Sequence, residues 1–280
     1  MRWQGREESD QIEDRRMSGG GKAATGGIGL IVVALIVMAL GGNPMQVLQA
    51  GAGAPGGESE SKPLTQEDKA WKEYVGVTLK DTENVWDKIF SGSGESYRKP
   101  KLVMFRDATQ SGCGYASSQV GPFYCGEDET VYIDTSFFQL MKDRFGAKGD
   151  FAPAYVIAHE VGHHVQKLLG TMGKVNERRS QVSERDANAL SVRLELQADF
   201  YAGVWAKHAA QAAGIDQQDV EEALECANAI GDDTLQREAQ GHVVPDSFTH
   251  GTSKQRMEWF MRGWKSGDVN QGNTFGASSL

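Results

Sequence analysis

The sequence predicts an α+β domain behind a single N-terminal transmembrane helix. Three observations lead there. No charged residue occurs from position 23 to 57, and the strongly apolar run 28–40 lies inside that stretch. Two β-rich runs, KLVMFR and TVYID, are short enough to be strands. Around them lie long segments whose apolar residues recur at three and four, the spacing of one helix face.

Residues 1–22 are polar and mixed in charge, with Gly19, Gly20 and Gly21 near their end, and are expected to be a disordered cytoplasmic arm. Residues 23–42 supply close to the roughly 20 residues that a bilayer core requires. Arg15, Arg16 and Lys22 precede the apolar run, and the next basic residue is Lys62. That asymmetry predicts a single-pass anchor in the cell (inner) membrane, N-terminus in the cytoplasm and the rest outside. A cleaved signal peptide is the rival, with Ala50-Gly51-Ala52 resembling a cleavage site, but the leader is long and partly acidic for one. Residues 43–64, rich in Gly, Ala, Pro and Ser, read as a flexible linker.

The folded domain is expected over 65–265. Thr65 with Asp68 forms a helix-start signal. The helix runs to about Phe90, with Trp71, Val75, Leu79, Val85, Trp86 and Ile89 as its apolar stripe. Cys113 and Cys125 flank a Gly- and Ser-containing segment between the two strands. They are a candidate disulfide if the domain lies outside the cytoplasm, whereas Cys226 sits in a helical pattern as a core residue. Residues 266–280 look like a loose tail. The formal charge of −9 with no basic run excludes a nucleic-acid partner, which needs a concentrated basic face.

Residues 159–163 read His-Glu-Val-Gly-His, in a helix capped by Asp150 and ended by Gly170. His159 and His163 are four apart, so both imidazoles project from one face. Two neutral imidazoles at that spacing can share one zinc ion, Zn2+. Glu160 can then reach a metal-bound water without being a ligand. A second helix, capped by Ser183 and stopped by Gly214, carries Glu195 and Asp199 one turn apart. Its neighbours Leu194, Ala198, Phe200, Ala202 and Trp205 make it largely buried, and buried carboxylates need a partner. A carboxylate beside zinc would neutralise charge as a third ligand, and a second could orient a ligand histidine from behind, so Glu195 and Asp199 are the candidates.

His-Glu-Val-Gly-His followed by Glu195-Leu-Gln-Ala-Asp199 resembles the gluzincin clan. The stretches AYVIAHEVGHHVQ, GPFYCGEDETVYID and SFTHGTSKQRMEWFMRG are similar to the bacterial membrane family of neutral zinc metallopeptidases of the YpfJ type. The resemblance implies a zincin-like fold, Glu195 as third ligand, Asp199 as support for a histidine, and TVYID as the sheet edge along which a peptide or protein substrate lies. His250 resembles the histidine of an S/T-H-P segment in related membrane gluzincins, with Gly251 in place of the proline. It is a candidate catalytic donor to the reaction's oxyanion, with His242, Tyr155 and Tyr132 as alternatives. His164 points about 100° away from the pair around the helix and reads as a hydrogen-bonded neighbour. The expected activity is zinc-dependent endopeptidase. A zinc-bound scaffold without proteolysis and a cell-wall peptide amidase are the alternatives.

Overall fold

The computed structural model describes residues 1–17, 63–145, 151–277 and 280. The expected anchor at 23–42, nearly all of the linker and the Asp150 cap lie outside the described residues. Among the described residues, no helix is long and apolar enough to cross a membrane.

Helix α1 (Gln66–Gly92) starts where its capping signal predicts. The Thr65 side chain accepts from the Asp68 amide, and the Asp68 carboxylate accepts from the Thr65 amide, satisfying two otherwise orphaned donors. Its stripe of Tyr74, Val75, Leu79 and Trp86 enters the main core. Four strands form the principal sheet: β1 (Ile12–Asp14), β2 (Lys101–Phe105), β5 (Phe123–Cys125) and β6 (Thr130–Asp134), in the order β1-β2-β6-β5. The first three in that order run parallel, and β5 is antiparallel at the edge. Period-two alternation sends Leu102, Met104, Val131 and Ile133 toward the helices and Val103, Phe105 and Tyr132 to a smaller cluster on the other face. Strands β3 (Ala108–Ser111) and β4 (Gly114–Ser117) make a separate hairpin. Cys113 at its turn is joined by a disulfide to Cys125 of β5, with Cα atoms 5.8 Å apart. Cys226 is free and buried.

The remaining helices are α2 (Ser136–Phe145), α3 (Phe151–Leu168), α4 (Thr171–Arg179), α5 (Glu184–Ala213), α6 (Gln217–Ala229), α7 (Asp232–Gln240) and α8 (Ser253–Ser266). Residues 151–166 of α3 are all buried, so this helix is the axis around which α1, α5 and the sheet pack. Helix α5 begins at the Ser183 cap and stops at Gly214, whose φ of 61° is left-handed.

Three expectations are corrected. Residues 1–17 are not a disordered arm but part of the domain, supplying strand β1. Their polar composition hides this: only Met1, Trp3 and Ile12 pack against the core, and backbone pairing and ion pairs hold the rest. The tail is not loose: Thr274 is fully buried and donates to the Arg193 carbonyl at 2.7 Å, while the Gln197 amide donates to the Gly272 carbonyl at 2.8 Å. And TVYID is not the sheet edge. It is β6, an inner strand flanked by β2 and β5, which is why all five of its residues are buried.

Candidate metal centre

Helix α3 brings His159, Glu160 and His163 to one place, and α5 brings Glu195 and Asp199 against them. The approach is close because of Gly162. A Cβ there would sit 3.0 Å from the Ala198 carbonyl oxygen and 3.1 Å from its Cα, tighter than ordinary packing allows. The glycine inside the histidine motif therefore sets the distance between ligand-bearing helices. His159 and His163 stand edge to face, with ring centroids 4.9 Å apart. His159 Nε2 lies 3.1 Å from Glu195 Oε2, and His163 Nε2 lies 3.4 Å from Glu195 Oε1. Donor atoms of His159, His163 and Glu195 all fall within 4.8 Å of one another.

The far side of each ring is fixed. His159 Nδ1–H donates to Asp199 Oδ1 at 2.8 Å. For His163 the partner is Gln166: its amide nitrogen donates to the Leu194 carbonyl at 2.7 Å, so its oxygen faces His163 Nδ1 at 2.9 Å and accepts from it. Both Nε2 lone pairs are thereby turned toward the Glu195 carboxylate. Such a meeting of acceptors calls for a positive charge among them, either protons or a metal ion. Burial lowers the pKa of His159, but the charge and hydrogen bond of Asp199 and the hydrogen bond of Glu195 outweigh it and raise it to about 10. Burial acts to raise the Glu195 carboxyl, yet the two imidazoles hold it well below the usual range. Two imidazoles and one carboxylate are the donor set of a catalytic zinc site with a position left for water, so the residues fit that ion.

Asp199 is fully buried and saturated with donors. Besides His159 it accepts from Tyr155 Oη at 2.6 Å and from Arg256 Nε and Nη2 at 2.8 and 2.9 Å. Burial alone would raise its pKa; Arg256 and His159 hold it at about 2. Arg256 comes from α8, and α8 meets α5 through Gly203 and Gly263, where an added Cβ on either would collide with the other helix's backbone. Sequence reasoning missed Arg256 and gave Gln166 no role. The signal available for Arg256 was its place inside the stretch SFTHGTSKQRMEWFMRG.

His250 does not join the ligand cluster. Its Nδ1 lies 3.3 Å from Asp232 Oδ1, and the same carboxylate accepts the backbone amides of Thr249, His250 and Gly251 at 2.7, 2.6 and 3.1 Å. Its side chain stays 41% exposed and feels the charge of Glu195. Gly251 has φ of 90°, which a proline cannot adopt, so the loop leaves His250 by a different route from an S/T-H-P segment. The other candidates are placed elsewhere. Tyr155 is behind His159, Tyr132 donates to Asp128 at 2.7 Å, and His242 is exposed against the Gln240 carbonyl. His164 points away, as its register predicts, bonded to Tyr124 Oη at 3.0 Å and to the Arg98 carbonyl.

Comparison with known proteins fits this arrangement. Residues 1–275 match the family model described as "Putative neutral zinc metallopeptidase". The chain is 50% identical to the protein YpfJ of Escherichia coli strain K12, over 99% of this chain and all of that protein. It is 42% identical to Rv2575 of Mycobacterium tuberculosis strain H37Rv, over 74% of this chain and 71% of that one. No solved structure matches it significantly.

Proposed function

Because the chain belongs to the neutral zinc metallopeptidase family, we propose that it is a membrane-associated, gluzincin-like endopeptidase with one zinc held by His159, His163 and Glu195. The convergence of those three donors, with both imidazoles oriented from behind, is the observation that carries the reading. Bound there, zinc would act as a Lewis acid and lower the pKa of a coordinated water toward about 7. Glu160 is buried beside the ligands and takes the general-base role, accepting the proton of the attacking water and returning it to the leaving amine. His250, held at Nδ1 by Asp232, leaves Nε2 as a donor to the developing oxyanion. The substrate is an extended peptide added to the sheet edge. That edge is β5, whose Tyr124 touches the residue next to His163 and whose Cys125 is pinned by the disulfide. A disulfide also favours the oxidising side of the membrane, and residues 23–42 supply the contact with lipid.

Purified full-length protein should cleave an unfolded protein substrate, lose that activity to a chelator and regain it with zinc. Glu160→Gln keeps side-chain size and removes the base. It should keep its zinc while kcat falls by roughly 10²–10⁴ or more. Full activity in Glu160→Gln would refute the role, and cleavage of cell-wall peptides without cleavage of protein would favour an amidase.

A further inference from the structure

The arm and the catalytic domain are one folded unit, and this constrains how the chain can meet a bilayer. Strand β1 pairs in parallel with β2, Ile12 against Leu102, Glu13 against Val103 and Asp14 against Met104. Helix α1 makes the crossover between them, so β1-α1-β2 is a βαβ unit with residues 18–62 inserted in its connection. Around the strand the arm is fastened at several points. The Met1 amine pairs with Asp219 at 2.6 Å, the Arg2 amide donates to the Ala213 carbonyl at 2.7 Å, and the Ser9 amide donates to the Gly76 carbonyl at 3.0 Å. Arg6 grips Asp81 with two hydrogen bonds of 2.7 and 2.6 Å. Asp81 is only 4% exposed, and a carboxylate so buried requires a partner; the arm provides it.

The two ends of the inserted segment meet. Arg16, 3% exposed, donates from Nη1 to the Asp68 carbonyl at 2.9 Å, and Asp68 is the capping-box partner of Thr65 in the first turn of α1. A single crossing by residues 23–42 would hold those ends apart by the roughly 30 Å of a hydrocarbon core. It would also place β1 and β2 in different compartments. Two of the three charges that favoured such a crossing are engaged on the domain itself, Arg15 with Glu13 at 2.7 Å and Arg16 with Asp14 at 2.7 Å; Lys22 lies outside the described residues.

We infer that residues 1–17 and the catalytic domain lie on the same side of the membrane. The test uses full-length protein in intact cells. Gln4→Cys in the arm and Glu238→Cys on α7 are both exposed positions, and the native cysteines are either disulfide-bonded or buried. A membrane-impermeant maleimide is applied before and after permeabilisation. The two positions should label alike, whether both before permeabilisation or both only after it. Labelling of Glu238→Cys in intact cells with Gln4→Cys protected until permeabilisation, or the reverse, would overturn the inference and restore the single crossing.

Discussion

Arg256 donates twice to a carboxylate that already receives a histidine and a tyrosine, and that carboxylate touches no solvent. Removing one partner of such a buried pair costs about 3–5 kcal/mol, and loss of support behind a ligand histidine typically weakens a metal site 10–100-fold. Arg256→Met is therefore expected to melt at lower temperature and to bind zinc roughly 10–100-fold more weakly. Arg256→Lys should recover part of both, since it keeps the charge but not the two-pronged donor geometry. Calorimetric zinc titration of the folded variants checks this, and unchanged affinity in Arg256→Met would mean that Asp199 orients His159 without help. His159 and His163 were legible in the sequence from their spacing on one helix face, with Glu160 beside them, and Glu195 and Asp199 from their spacing on a buried helix, their separate roles resting on the gluzincin resemblance. Arg256 lies 57 positions from Asp199 and on a separate helix, so no local pattern links them. Gln166 resisted for a different reason. Only the direction of its amide, fixed by the Leu194 carbonyl, reveals that it orients His163.

Helices α1, α3 and α5 were readable as elements because their caps and stops obey local chemistry: Thr65 with Asp68, Ser183, and left-handed glycines at 170 and 214. Strand β1 was not. Three residues, Ile-Glu-Asp, carry no periodic signal, and the strand exists only because the edge of β2 offers it a ladder. The consequence is practical. A fragment beginning at Thr65, the boundary that the sequence suggests, would lack β1, expose the edge of β2 and leave Asp81 without Arg6. It should melt below the full-length protein and tend to associate through that open edge. A synthetic peptide of residues 1–17 should raise its melting temperature in a saturable way. Equal melting of fragment and full-length protein, with no response to the peptide, would show that the arm contributes nothing to the fold. The strand order was equally hidden, since TVYID and FYC are both short and apolar, and only pairing distinguishes the inner strand from the edge.

Across the whole molecule, the centre is assembled by three helices in near-backbone contact. Gly162 admits α5 to α3, and Gly203 with Gly263 admits α8 to α5. Tyr155 and Arg256, which share Asp199, are 101 positions apart. The site is thus a property of the completed fold, with β5 at the sheet edge beside the histidine helix and the arm's β1 at the opposite edge. The proposed centre requires Glu195, rather than a histidine of the C-terminal loop, to complete the metal site with His159 and His163. The direct measurement is zinc affinity and stoichiometry for the wild type, Glu195→Ala, Asp199→Ala and His250→Ala side by side, with folding monitored by circular dichroism. The wild type should bind close to one equivalent. Asp199→Ala should bind roughly 10–100-fold more weakly, Glu195→Ala should be weaker still through loss of a ligand and its charge, and His250→Ala should bind as the wild type does. If His250→Ala loses the metal while Glu195→Ala keeps it, the third ligand lies in the loop and Glu195 is not a ligand.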